Sequence, residues 1–245
     1  MLVTGASRGV GRAVAVAFAA AGDRVAVHHR DSAPLAVETV GMLAGSGHVV
    51  VSGDLADPAA VKSFVDDAAL GLGGLDVLVN NAASYEPHPP ASVTYEEWQA
   101  AWRRTIDVNL LGAANATFCA LPYLRASGAG RVVNVSSRGA FRGEPDQPAY
   151  GASKAGLNAL GQSLAKALGA DGIAVSTVAP GYIETDMANA ELKAPRGAEL
   201  RAQSPFDRVA RPDEVAAAVL WLASPEAEWA SGAILDLNGA SYLRT

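Results

Sequence analysis

The sequence predicts an α/β protein: a doubly wound, predominantly parallel sheet of seven strands with helices on both faces, in a single domain over 1–245. Three observations predict it. Short Val/Leu/Ile runs alternate with longer helical stretches along the chain. Those runs are continuously apolar rather than alternating, as strands buried on both faces should be. A glycine-rich turn follows the first run at once, and neither a linker nor a solenoid period divides the chain.

The elements follow in order. Residues 1–4 form the first strand, and a helix over 9–21 follows the turn. A strand at 24–28, a helix at 33–44 and a strand at 48–52 come next. Asp57-Pro58 makes a turn and opens a helix to 70, ahead of a strand at 75–80. One long helix is expected over 95–126, then a strand at 131–136. Pro148 suits the first turn of a helix running to 168, before a strand at 173–178. The segment 181–206 shows no clear strand and carries Pro195, Gly197 and Pro205, so it is expected to be a mobile excursion that lids the substrate. A helix at 212–223 and a strand at 233–237 close the domain.

Composition narrows the function. Half of the 245 residues are hydrophobic and 18% are charged, which supplies a core and argues against disorder. The formal net charge of −6 gives no general attraction to nucleic acid or anionic membrane. No apolar run reaches membrane-spanning length. Cys119 stands alone, so no internal disulfide is possible and a reducing, cytoplasmic setting is expected. The opening MLVTGASRGVG lacks the basic leader of a signal peptide; with three residues ahead of Thr4, a few N-terminal residues are expected to be missing from this start. The four histidines (28, 29, 48 and 88) show no ligand spacing, so no metal is expected.

The turn Thr4-Gly5-Ala6-Ser7-Arg8-Gly9-Val10-Gly11 lies between the first strand and its helix. Gly5 permits the tight turn, Gly9 lets backbone approach a diphosphate, and Gly11 lets the helix pack close. With Ser7, Arg8 and Val10, the helix N-terminus offers free N–H groups and partial positive charge to phosphates. Dinucleotide binding follows. The second strand ends His28-His29-Arg30-Asp31. Arg30 beside Arg8, with His29 as neighbour, favours NADP(H) over NAD(H) through its 2′-phosphate; the alternative has Asp31 take the ribose. Asp54-Leu55 sits where adenine should lie, Asp54 facing the exocyclic amine and Leu55 covering the ring.

Chemistry is read from Tyr150-Gly151-Ala152-Ser153-Lys154. Residues four apart share a helical face, so an ammonium sits near the phenol. A phenol has a pKa of ~10. A cation ~5 Å away at an effective dielectric of ~20 favours the phenolate by roughly 3 kcal/mol, about 2 pKa units. Tyr150 is thereby expected to exchange protons near neutral pH.

The combination of TGASRGVG, NNAA at 80–83, a serine thirteen residues before YGASK, and PGYIETDM at 180–187 resembles the short-chain dehydrogenase/reductase family. The likeness spans essentially the whole chain and is similar to the family's 3-oxoacyl-ACP reductase-like members of Rossmann type. It implies that Ser137 holds and polarises the substrate oxygen, with Ser136 a structural strand-end residue. It implies that Tyr150 is the general acid/base and that Lys154 also bridges the nicotinamide ribose. Asn109 would hold a water linking Lys154 to solvent. Asn80 would stabilise the sheet, and Asn81, Ala82 and Ala83 would contact the cofactor. Pro180, Gly181, Ile183 and Thr185 would contact the nicotinamide amide and pyrophosphate. Where the family reads NNAG this chain has Ala83, whose methyl is expected to narrow the pocket or shift the loop.

The substrate is expected to be a small carbonyl or alcohol, near Ser137, Phe141, Gln147, Tyr182 and Met187. Tyr85, His88, Arg138 and Arg142 are further candidates; the aromatics suit an apolar or ring-bearing ketone, and either arginine could attract an acidic group. Gly112, Ala113, Ala114, Ala155, Gly156 and Ala159 allow close helix pairing, and relatives pair as dimers or tetramers through such helices, so a homo-oligomer is expected. Two other functions compete: a catalytically silent NADP-binding regulator, which would normally have lost Ser, Tyr or Lys, and an epimerase or dehydratase, which would normally carry a C-terminal substrate domain.

Overall fold

The computed structural model describes residues 1–185, 192–194 and 196–244. The described strands are β1 (Leu2–Val3), β2 (Ala26–His29), β3 (Val49–Ser52), β4 (Val77–Asn80), β5 (Arg131–Val135), β6 (Ala174–Pro180) and β7 (Ile234–Leu237). They form one sheet in the order β3-β2-β1-β4-β5-β6-β7, every neighbouring pair parallel. Six of these strands start one or two residues later than expected, and β5 starts at Arg131 as expected. The exception in length is β6, which runs on to Pro180: a proline fits a strand's last position, and its carbonyl still accepts from Arg138 N–H.

Parallel strands need crossovers, and the helices supply them on both faces. These are α1 (Gly9–Ala20), α2 (Ala33–Gly41), α3 (Pro58–Leu72), α4 (Tyr95–Ile106), α5 (Gly112–Ser127), the short α6 (Gly139–Arg142), α7 (Pro148–Leu168), α8 (Arg196–Ala202) and α9 (Pro212–Leu222). Successive strand residues point to opposite faces. Val3, Val27, Val79 and Val133 therefore join Val14 and Phe18 of α1 and Val215 and Val219 of α9 in one core. Leu2, Ala26, Leu78 and Val132 join Phe64 and Val65 of α3 and Ala116 and Leu124 of α5 in the other.

The expected single helix over 95–126 is interrupted. A π-helical turn, Asp107–Leu111, separates α4 from α5 and holds Asn109. Just after it, Gly112 passes the loop beyond β3: a Cβ there would lie 2.7 Å from Leu55 O. Because β1 lies between β2 and β4, the chain reverses its winding at β1, and a crevice opens beyond the carboxyl ends of these strands. Within 181–206 the described part contains an isolated bridge, Ile183 to Ala210, and α8.

Candidate active site

One continuous cavity of about 680 Å³ occupies that crevice. Gly5, Ser7, Arg8, Gly9, Val10 and Gly11 line its first end. Gly5 has φ +64, and a Cβ on it would lie 3.0 Å from Ala82 Cα; one on Gly11 would lie 2.3 Å from Gly5 O. The two turns at the switch point are tied together. Thr4 Oγ1 accepts from Asn81 N (2.9 Å) and Ala82 N (3.1 Å), while Asn81 Nδ2 donates to Thr4 O at 2.9 Å. Asn81 is thus a brace of the glycine turn as well as a cavity residue. Asn80 is buried in the sheet, its amide donating to Thr117 Oγ1 (3.0 Å) and Asn134 Oδ1 (2.9 Å). Ala83 lines the cavity in an ordinary backbone conformation, so its methyl needs no strained loop.

His28 is a brace that no ligand spacing could reveal. Its Nδ1 accepts Gly5 N–H at 3.1 Å and its Nε2 faces Gly53 O at 3.0 Å. A carbonyl can only accept, so Nε2 carries the proton and the ring is neutral. Burial pushes its pKa down to about 4.

His29, Arg30, Asp54 and Leu55 line the same cavity, as does Asp31. Arg30 is exposed and donates through Nη2 to Asp31 Oδ2 at 2.8 Å. Asp54 accepts from Arg104 Nη1 at 2.8 and 3.1 Å and from Ala56 N at 2.9 Å. Asp54 is thus paired with Arg104, a cavity residue with no sequence motif to mark it, and keeps its place on the cavity wall.

At the other end Ser137 and Tyr150 share the wall, and Ser137 Oγ accepts Gly139 N–H at 3.0 Å. Tyr150 sits in the first turn of α7. That turn is held by His88, expected near the substrate but buried beneath: its Nε2 accepts Ala149 N–H at 3.1 Å and its Nδ1 donates to Glu86 O at 2.7 Å. Tyr85 meets the Tyr150 ring edge-on at 4.9 Å. Ser136 is structural, donating to Lys154 O at 3.2 Å.

Lys154 is 2% exposed, behind the wall rather than on it. Its Nζ donates to Val135 O at 2.7 Å and lies 5.7 Å from the Tyr150 ring centroid. Desolvation lowers its pKa to about 8, and burial pushes the Tyr150 phenol up, with the neighbouring Ser137 hydroxyl pulling the other way. The lowering of Tyr150 expected from the lysine's spacing is opposed by burial, which pushes the phenol up.

The Asn109 side chain is fully engaged. Its Oδ1 accepts Ser84 N–H at 2.7 Å, and its Nδ2 donates to Ser84 O and Ser153 Oγ, both at 3.0 Å. Both amide protons are spent, so the side chain braces the wall loop against α7. Gly181, Tyr182, Ile183 and Thr185 line the cavity, whereas Pro180 does not. Phe141 and Gln147 also lie off it. The Phe141 ring packs under the Arg244 guanidinium at 4.3 Å, and Gln147 is buried at the start of α7. Met187 lies outside the described residues. Among the described residues no group of His, Cys, Asp or Glu is placed to hold a metal ion, and no helix is long and apolar enough to cross a membrane.

The seven-stranded parallel sheet with its switch-point crevice has matches among known proteins. The family model described as Enoyl-(Acyl carrier protein) reductase matches residues 5–239. The chain belongs to the short-chain dehydrogenase/reductase family. It is 40% identical to the cis-4-hydroxycyclohexanecarboxylate dehydrogenase of Sinomonas cyclohexanicum, over 97% of this chain and 94% of that one. It is 35% identical to a 3-oxoacyl-(acyl-carrier-protein) reductase of Staphylococcus aureus, over 99% and 97%. A short-chain dehydrogenase of Burkholderia cenocepacia, solved in complex with NADP, superposes with a TM-score of 0.88 at 34% identity, covering 98% and 96%. This family member is an NAD(P)-dependent oxidoreductase.

Proposed function

We propose that this cavity interconverts a ketone or aldehyde with the corresponding alcohol, using NADP(H), with Tyr150 as general acid/base. The observation that carries the reading is the placement of Ser137 and Tyr150 on one cavity wall, with the Lys154 ammonium buried behind them. The cavity suits a dinucleotide. Gly5, Gly9 and Gly11 keep its floor free of side chains, the N-terminus of α1 opens onto it, and the buried His29 Nδ1 on its wall has no hydrogen-bond partner. Ser7 and Arg8 would hold the diphosphate, Leu55 the adenine, and Ile183 and Thr185 the nicotinamide end. Bound there, the cofactor supplies or takes up the hydride.

The protein's own part is proton transfer and charge placement. The phenol, pushed up by burial, stays protonated at neutral pH and can deliver its proton to the oxygen of a reducible carbonyl. The Ser137 hydroxyl fixes that oxygen and stabilises its developing charge. Lys154 offsets the charge left on Tyr150. Asn109 acts as a positioning residue through Ser153, whose Oγ donates to Tyr150 O at 2.8 Å.

Arg8 and Arg30 at the cavity rim support NADP(H) over NAD(H). Exposed Phe118 (74%) on α5 and Leu111 (50%) before it support a homo-oligomer paired through these helices. Gly112 and Gly156, by contrast, pack inside the chain against Leu55 and Leu110. The lone cysteine supports a cytoplasmic setting. The intact Ser137, Tyr150 and Lys154 favour catalysis over a silent regulator. The Tyr150→Phe variant tests the reading: kcat should fall by roughly 10²–10⁴-fold while NADPH affinity stays within a few-fold. Retention of wild-type kcat would remove Tyr150 as the acid.

A further inference from the structure

The wall beside the catalytic hydroxyls holds a second buried cation. Arg138 follows Ser137 directly and is 3% exposed, yet it lines both the main cavity and a smaller one of about 200 Å³. Its backbone is fixed, N–H donating to Pro180 O at 2.8 Å. Its Nη1 donates to Ser241 Oγ and its Nη2 to Gln203 Oε1 at 2.6 Å. Both acceptors are neutral. Among the described residues no carboxylate lies within ion-pair distance; the nearby Glu144 is engaged by Arg142 Nε at 3.5 Å and acts on Arg138 only at longer range. Tyr182, whose ring centroid is 6.0 Å from the guanidinium, lines both cavities too.

A desolvated guanidinium stays charged and offers five donors, of which the structure occupies two. Burying such a charge opposite neutral acceptors is unfavourable, and a carboxylate relieves it with paired, charge-assisted hydrogen bonds. We infer that Arg138 is the anion-binding residue of the substrate site, and that the substrate carries a carboxylate besides its reacting carbonyl or hydroxyl. This rests on the reading that Ser137 and Tyr150 hold the reacting oxygen. Arg138, one residue from Ser137, would then hold the other end of a short molecule whose apolar body lies along Tyr85 and Tyr182.

The competing role is a strut that ties Gln203 and Ser241 to the wall, and the test separates the two. Binding of cyclohexanecarboxylate and of cyclohexanecarboxamide, nearly equal in shape, is measured by calorimetry on the NADPH-loaded enzyme. Wild type should bind the carboxylate about tenfold tighter or more, the range of a charge-assisted bond. Arg138→Gln should erase that preference without weakening the amide, and Arg138→Lys should keep part of it. Equal affinities in wild type, or a parallel loss of both probes in Arg138→Gln, overturns the inference. Turnover of 4-oxocyclohexanecarboxylate and its methyl ester isolates the underlying reading. Equal kcat/KM for the two overturns the anion site and leaves the Tyr150 mechanism standing. Failure of both counts against that mechanism, while the binding preference still decides the anion site.

Discussion

At the glycine-turn end of the cavity the deepest contacts join neutral groups, and Asp54 and Arg30 are each paired with an opposite charge. His28, Thr4 and Asn81 hold the turn, Asp54 meets Arg104, and Arg30 meets Asp31. At the Tyr150 end two cations, Lys154 and Arg138, are buried against neutral acceptors. The contrast separates two kinds of preorganisation. One end fixes backbone geometry, so that N–H groups and glycines face a phosphate without further rearrangement. The other keeps uncompensated positive charge where negative charge develops during reaction. Mutations at the first end should act on cofactor affinity and acid stability; those at the second should act on turnover, substrate charge and alkaline stability.

The largest of these effects is expected at Gly11. A Cβ there would lie 2.3 Å from Gly5 O and 2.6 Å from Asn81 Nδ2, so Gly11→Ala must push the turn off its brace. NADPH affinity, followed by fluorescence titration, should fall at least about a hundredfold. A change under threefold would show that the turn's geometry is not what holds the cofactor. His28 comes next. Its folded pKa of about 4 lies below the ordinary 6.5, so the fold favours the neutral ring. The associated stability is complete above pH 6.5 and is lost as pH falls from there toward 4. The loss is about 3 kcal/mol. Urea unfolding between pH 4 and 7 should show that slope in wild type and not in His28→Asn; the same slope in both would remove His28 as the acid-sensitive brace.

Much of this was readable from the chain. Val and Leu runs mark strands buried on both faces, and Gly5 and Gly11 sit where only glycine fits, so the crevice and its first end follow from local patterns. What escaped depends on distant segments meeting. His28 acts through Gly5 and Gly53, which lie on separate loops. His88 holds α7 from 61 residues away, and Arg104 reaches Asp54 across 50. The π-turn at Asp107–Leu111 has no residue type that announces it. Phe141 and Gln147 stand close in sequence to Ser137 and Tyr150, yet α6 turns Phe141 toward Arg244 and the helix start buries Gln147. The Tyr150–Lys154 spacing gives charge proximity but not burial, and burial decides the direction of the phenol's pKa.

At the charged end the corresponding stability effect runs the other way in pH. Lys154 has a folded pKa of about 8 against an ordinary 10.5, so between those values the unfolded chain binds more protons. Stability should therefore rise as pH goes from 8 to 10, by on the order of 2 kcal/mol. The rise ends above pH 10, where the unfolded phenol ionises and the raised Tyr150 phenol of the fold does not. Lys154→Met, neutral at all pH, should flatten the rise in urea unfolding. A flat wild-type profile over this window would mean that the ammonium is not desolvated, and the contrast between the two ends would weaken.

The smallest effect probes whether the glycine end has a charge to spare. Arg30 is exposed and shares its guanidinium with Asp31, so a 2′-phosphate would have to compete with that carboxylate. A phosphate carries more charge and more acceptor oxygens than the carboxylate, and exposure keeps the exchange inexpensive. Arg30→Ala should weaken NADPH about tenfold, roughly 1.4 kcal/mol, and leave NADH within about twofold. Asp31→Asn should shift the balance further toward NADPH by freeing the guanidinium. Equal losses for both cofactors in Arg30→Ala would place the arginine in the ribose pocket without 2′-phosphate selectivity. Improved NADPH binding in Asp31→Asn alone would show instead that removing a repulsive carboxylate, rather than keeping Arg30, sets the preference.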